Sequence, residues 1–228
     1  MHTELIVALD VDDIEKARSL VNELSGTTKY YKIGMRLFTK YGPSIVEEIA
    51  KKGHRVFLDL KFMDIPSVVA STVESAASMG AYAVSLHISG GSEMLIAAQE
   101  VKQRPKLWGV TILTSISQNL LNETGITNSI ESRVELLASL GIKCGLDGIV
   151  CSPREISLVR KCIGPAQDIV TPGIRLASAA VTHDDQVRTL TPKEASDAGA
   201  TYIVVGRPII EASDPKQEVE NIRGQLRK

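Results

Sequence analysis

Short β-branched runs alternate along the chain with longer segments whose apolar positions recur at helical spacing. LIVALD, YYKIG, RVFLDLKF, YAVSLHI, LWGVTIL, DGIVC, DIVTPGI and YIVVGRPI read as eight strands. The stretches Asp12 to Leu24, Pro43 to Lys52, Ser67 to Met79, Ser92 to Lys102, Ile130 to Leu140 and Pro153 to Cys162 read as amphipathic crossover helices between them. Lys52-Gly53, Met79-Gly80, Leu140-Gly141 and Ala198-Gly199 are expected to close helices with a left-handed glycine. Continuously apolar strands joined by helices imply a parallel sheet covered on both faces. Eight such units in 228 residues predict closure into a (β/α)8 TIM barrel, one α/β domain over residues 1–228. An open doubly wound sheet is the alternative, but the Gly-x-Gly-x-x-Gly expected after its first strand is replaced by LIVALDVDD. The longest irregular segment, Gly173 to Gln186, follows the seventh strand and reads as a lid or binding loop.

Charge and cysteine usage narrow the partners. With 26 Lys and Arg against 27 Asp and Glu and no block of like charge, neither a nucleic-acid footprint nor a basic membrane face is expected. Small-molecule chemistry fits better. Cys144, Cys151 and Cys162 show no metal-type spacing and read as ordinary thiols. His2, His54 and His183 are scattered, so no metal site is predicted. Residues Met1 to Glu4 lead into an apolar strand without a basic leader, and no apolar run reaches bilayer length, so a cytoplasmic location is expected.

Charges stand where the strands should be apolar. In RVFLDLKFMDIP, Asp59 and Lys61 are two residues apart near a strand end and are expected on one face. Burying such ions costs several kcal/mol each unless they are paired. Lys32 near the end of the second strand and Asp10 at the end of the first are placed to join them, and Asp64 follows, held by Ile65-Pro66. A structural salt-bridge network, with Asp64 capping the next helix, is the plainer reading. Convergence of these charges at the strand ends where barrel active sites lie favours function.

A second group lies late in the chain. DIVTPGIR and YIVVGRPI end the seventh and eighth strands, whose loops most often build a barrel's phosphate site. Gly206 allows close approach of a phosphate, Arg207 offers a fork of donors, and Gln186 at the far end of the long loop adds another. The plainer reading is that Gly206 merely ends a strand and that Arg207 pairs with a surface carboxylate such as Glu211. His87 reads as a hydrogen-bonded scaffold residue; Trp108, Met35, Met63 and Met79 read as core.

Taken in order and spacing, VALDVDD, KIG, DLKFMDIP, VTILTS, TPGIR and VVGRPI closely resemble the orotidine 5′-monophosphate decarboxylases over essentially the whole chain. The resemblance implies cofactor-free decarboxylation of orotidylate to uridylate, the last step of de novo pyrimidine synthesis. Lys61 matches the lysine that delivers the proton to pyrimidine C6, with Asp59, Lys32 and Asp64 completing a chain of alternating charge. It further implies a homodimer in which Asp64 enters the neighbouring subunit's site. Asp10 and Lys32 then bind the ribose, Thr114 reads the pyrimidine edge, and Pro172, Arg175, Gln186, Gly206 and Arg207 belong to the phosphate-gripping region. One departure stands out: the threonine usual two residues past the proline is Val68 here, so a ribose hydrogen bond is expected to be lost or taken over by water or Ser67.

Two other functions use the same features. A metal-dependent sugar-phosphate decarboxylase, aldolase or epimerase shares the shorter DxKxxD pattern and would be sensitive to chelators. A non-catalytic phosphometabolite-binding barrel would keep the phosphate grip, but it has little need of paired charges at a buried strand end.

Overall fold

The computed structural model describes residues 2–175 and 190–226. Eight parallel strands close into a barrel in sequence order: β1 (Glu4–Ala8), β2 (Tyr30–Gly34), β3 (Arg55–Phe62), β4 (Ala81–His87), β5 (Lys106–Val110), β6 (Gly148–Val150), β7 (Asp168–Thr171) and β8 (Tyr202–Val205). β8 pairs back onto β1 with Glu4 opposite Tyr202 and Val7 opposite Val205. The expected barrel is therefore present, with all eight strands where the apolar runs placed them.

Strand alternation divides the apolar side chains into two cores. Leu5, Val7 and Leu9, Tyr31 and Ile33, and Val56 and Leu58 face outward and pack beneath the helices. Ile6 and Ala8, Tyr30, Phe57, Ala83, Trp108, Val170, Tyr202 and Val204 face inward and fill the barrel. The same phase, continued to the C-terminal ends of the strands, turns Lys32 and Asp59 toward the axis. Interior packing ends there and polar side chains begin.

At the opposite, N-terminal end the interior is closed by a polar-tipped aromatic plug. Tyr30 meets Tyr82 and Tyr202 edge-on, with ring centroids 5.6 and 5.4 Å apart. Trp108, fully buried, donates from Nε1 to Asp168 Oδ2 at 3.1 Å, and Lys106 Nζ donates to the same oxygen at 2.7 Å. Each polar tip in this layer thus has a partner, as burial requires.

Several boundaries differ from the sequence expectation. The helix expected to end at Gly141 continues through it, spanning Ile130–Lys143, and Gly145 with φ 83° takes the turn instead. Gly141 is there for packing: a Cβ would stand 3.1 Å from Ile88 Cδ1 and 3.2 Å from Ile149 Cδ1. Additional helices over Met35–Tyr41, Gln118–Glu123, Arg207–Ile210 and Pro215–Leu226 were not predicted, whereas the helix expected to close at Ala198-Gly199 is present as Pro192–Asp197. Trp108 lies in the barrel interior and Met79 packs against the core beneath the helices, as expected, but Met35 and Met63 are each 56% exposed and do not belong to either core. Pro66 opens its helix, Pro66–Ser78, with Ile65 extended before it, as the steric effect of proline requires.

Candidate active site

At the C-terminal mouth of the barrel lies a cavity of about 530 Å³ whose walls include Asp10, Lys32, Asp59, Lys61, Thr114, Pro172, Gly206 and Arg207. Eight of the residues singled out from sequence, drawn from six different strand ends, therefore meet in one place. Asp10 stands two residues beyond the end of β1 rather than on it. Thr114 follows β5, Pro172 follows β7, and Gly206 caps the short helix Arg207–Ile210 directly after β8.

The charged side chains alternate in sign. Lys32 Nζ donates to Asp10 Oδ1 at 2.9 Å and lies 3.6 Å from Asp59 Oδ2; Lys61 Nζ donates to that same Asp59 oxygen at 3.0 Å. Burial alone would push the Lys32 ammonium down, but Asp59 and Asp10 outweigh it and hold Lys32 above the ordinary lysine range. Burial alone would likewise raise Asp59. The charges of Lys32 and Lys61, with hydrogen bonds from Lys61 and Ser85, outweigh that and hold its carboxyl below the ordinary range. The pair is thus ionised across the neutral range, a desolvated arrangement of fixed charge.

Asp59 and Lys61 come together by a route that simple alternation does not describe. Leu58 pairs with Val84 and Phe62 with Leu86, so three residues of β3 stand opposite the single Ser85 of β4. Within this bulge Lys61 takes φ 55°, a left-handed backbone that side chains other than glycine rarely adopt. Ser85 is fully buried beside it.

Other candidates lie outside the cavity wall. Asp64 is exposed, its Oδ1 accepting from the backbone N–H of Ile65 at 2.6 Å. Arg175 follows β7, its backbone N–H donating to Leu190 O at 2.9 Å and its Nη1 to Ile174 O at 2.9 Å. Gln186 and most of the loop expected as a lid fall outside the described residues. His87 is not part of the main wall; it borders a separate pocket of about 160 Å³. Burial first, and then the charge of Lys61 against the opposing effect of Asp59, lowers its pKa. Val68 is 43% exposed on the helix that follows Asp64.

Sequence reasoning passed over two residues. Arg36 lines the cavity and is fixed by Asp12, with Nε to Oδ1 at 2.7 Å and Nη2 to Oδ2 at 2.6 Å. It was hidden because its helix begins at Met35, directly after the last residue of β2, with no loop between. Ser85 carried a signal, being a hydroxyl at an inward position of an apolar strand. Among the described residues no group of three or more His, Cys, Asp or Glu stands close enough to hold a metal ion.

The model of the Orotidine 5'-phosphate decarboxylase / HUMPS family matches residues 3–222. The chain belongs to this family. Among its orotidine 5′-phosphate decarboxylase relatives, that of Saccharophagus degradans is 43% identical over 227 residues, covering 98% of this chain and 94% of the relative. That of Dichelobacter nodosus is 43% identical, with 99% of both chains covered. The crystal structure of the orotidine 5′-phosphate decarboxylase from Lactobacillus acidophilus superposes with a TM-score of 0.88 at 35% identity, over 99% of this chain and 100% of the other. A conserved protein of Geobacillus kaustophilus superposes nearly as well, with a TM-score of 0.86 at 32% identity, over 98% and 100% of the two chains. Membership in the decarboxylase family thus rests on nearly the full length of the chain, barrel and cavity included.

Proposed function

We propose that this enzyme removes carbon dioxide from orotidine 5′-monophosphate to give uridine 5′-monophosphate, without cofactor, through the charge array at the barrel mouth. The observation that carries this reading is the Asp59 carboxylate, held ionised between Lys32 and Lys61 inside a cavity that ends in Gly206 and Arg207. The substrate's phosphate sits at Gly206 and Arg207, near Pro172; Arg175, and Gln186 outside the described residues, are the further phosphate-gripping side chains that the resemblance implies. Its ribose lies against Asp10 and Lys32, and Thr114 faces the pyrimidine edge. Binding energy from the remote phosphate is then available to orient the ring.

At the ring, the bond between C6 and the carboxylate carbon breaks and its electron pair remains on C6. The Lys61 ammonium, already fixed beside Asp59, stabilises that charge as it develops and then transfers a proton to C6. Carbon dioxide leaves, and the lysine regains a proton from solvent. Asp59 holds Lys61 in position and keeps the array charged.

Dimerisation completes the array. Met63 and Ile65 flank Asp64 and are 56% and 63% exposed; Val68 on the same segment and Met35 on the neighbouring one are also exposed. Such apolar exposure beside a carboxylate supports a two-fold interface through which Asp64 reaches the partner's cavity. The three cysteines are free thiols and no described helix is long and apolar enough to cross a membrane, in keeping with a cytoplasmic enzyme.

The shorter DxKxxD pattern of Asp59, Lys61 and Asp64 is shared with sugar-phosphate enzymes, so a metal-dependent reaction on a sugar phosphate is the competing reading. The test is loss of orotidylate absorbance with purified protein in excess chelator, run beside Lys61→Ala. Loss that resists chelator and is abolished in the variant supports the proposal. No loss, with or without added magnesium, overturns it.

A further inference from the structure

The bulge in β3 raises a question of hydrogen-bond accounting. Three residues, Asp59, Leu60 and Lys61, stand against one residue of β4, so the regular ladder between the two strands is interrupted there. A left-handed backbone at a residue other than glycine persists only when its surroundings hold it. The half-buried Lys61 N–H needs an acceptor in place of the ladder carbonyl.

Ser85 supplies it. The hydroxyl oxygen of Ser85 accepts from the backbone N–H of Lys61 at 2.9 Å and donates its own hydrogen to Asp59 Oδ1 at 2.8 Å. One side chain thereby ties the two ends of the bulge together. It leaves Asp59 Oδ2 for Lys61 Nζ at 3.0 Å and Lys32 Nζ at 3.6 Å. Ser85 is fully buried, lies outside the cavity wall and so has no access to substrate in that cavity. Its neighbours along the inward face of the barrel, Ala83 and Trp108, are apolar, so the hydroxyl has no interior role to play except at the bulge.

We infer that Ser85 is a positioning residue for the reaction: its hydroxyl locks the left-handed Lys61 backbone and orients the Asp59 carboxylate, so that the Lys61 ammonium is aimed before substrate arrives. This rests on the decarboxylase reading above, with Lys61 as the proton donor. A shift of the lysine by as little as an ångström is enough to cost on the order of a hundredfold in the chemical step. Substrate binding, which draws on the phosphate and ribose contacts, is much less affected.

The experiment uses two pairs of side chains that differ by a hydroxyl at nearly constant shape: wild-type Ser85 against Ser85→Ala, and Ser85→Thr against Ser85→Val. Orotidylate turnover is measured for all four full-length proteins, with circular dichroism confirming that each is folded. Lowered kcat in the alanine variant, on the order of tenfold to a hundredfold with KM changed by less than about threefold, is expected, as is a kcat for threonine well above that for valine. Wild-type kcat in Ser85→Ala, or equal kcat in the Thr and Val proteins, overturns the inference, since packing alone would then explain any loss. If alanine misfolds, the Thr and Val pair decides alone. Absence of turnover in the wild-type protein sinks the decarboxylase reading instead, whereas an active wild type with indifferent Ser85 variants sinks only the role of Ser85.

Discussion

Gly34 lies so close to Lys32 that a Cβ on it would stand 3.0 Å from the Lys32 ammonium nitrogen. Asp10 Oδ1 would be 3.2 Å from the same Cβ. Gly34 has φ −96°, open to any residue, so the constraint is space rather than backbone. Lys32 is almost fully buried and held between two carboxylates, and it has little room to yield. Gly34→Ala is therefore expected to displace the ammonium by a few tenths of an ångström and lower kcat/KM on the order of tenfold, with the fold retained. Steady-state kinetics beside a thermal melt check this; an unchanged kcat/KM would show that Lys32 position is not critical.

The charge array predicts a pH dependence with a definite sign. Asp59 is depressed below the ordinary carboxylate range, so its stabilising contribution is present above an unfolded pKa of about 3.9 and is lost as pH falls through the lower folded value. Lys32 is raised, so its contribution is present below an unfolded pKa of about 10.4 and is lost as pH rises through the higher folded value. Asp59→Asn removes the larger of the two Coulombic attractions that hold Lys32 up against its burial. The alkaline limb of stability, followed by denaturant melts, should then move to lower pH; a limb that stays in place would show that Asp10 alone holds Lys32 charged.

Sharing of sites between subunits is tested by mixing. Lys61→Ala and Asp64→Ala proteins are each expected to be nearly inactive. Co-refolded in equal amounts, they should recover activity in about a quarter of the sites, since half the dimers are mixed and each mixed dimer holds one intact site. No recovery would place Asp64 in its own chain's site or outside the reaction.

The far end of the barrel should behave in the opposite way. Asp168 accepts from buried Trp108 and from Lys106, well below the cavity. Asp168→Asn is expected to cost about 2 kcal/mol of stability by weakening charge-assisted hydrogen bonds. Its kcat should stay close to wild type, as expected for the stability face of a barrel. Equal loss of turnover and stability would contradict that division.

The order of eight strands was determined by the sequence itself, because a buried parallel strand must be apolar over its whole length and each run is bounded by turn residues. The charges of Asp59 and Lys61 were conspicuous for the same reason, as were Lys32 and Asp10 at neighbouring strand ends. The helices Met35–Tyr41 and Gln118–Glu123 escaped because they are short and follow strand or loop without a distinct boundary. Exposure of Met35 and Met63 was also invisible, since a methionine beside an apolar run looks the same whether it packs inward or toward a partner. What only the tertiary structure decided is the bulge. Local sequence places Asp59 and Lys61 two apart, but the register against β4 gives Lys61 its left-handed backbone and brings Ser85, 24 residues away, between them. Register across a parallel barrel is set by the packing of all eight strands together, and no single strand carries that information.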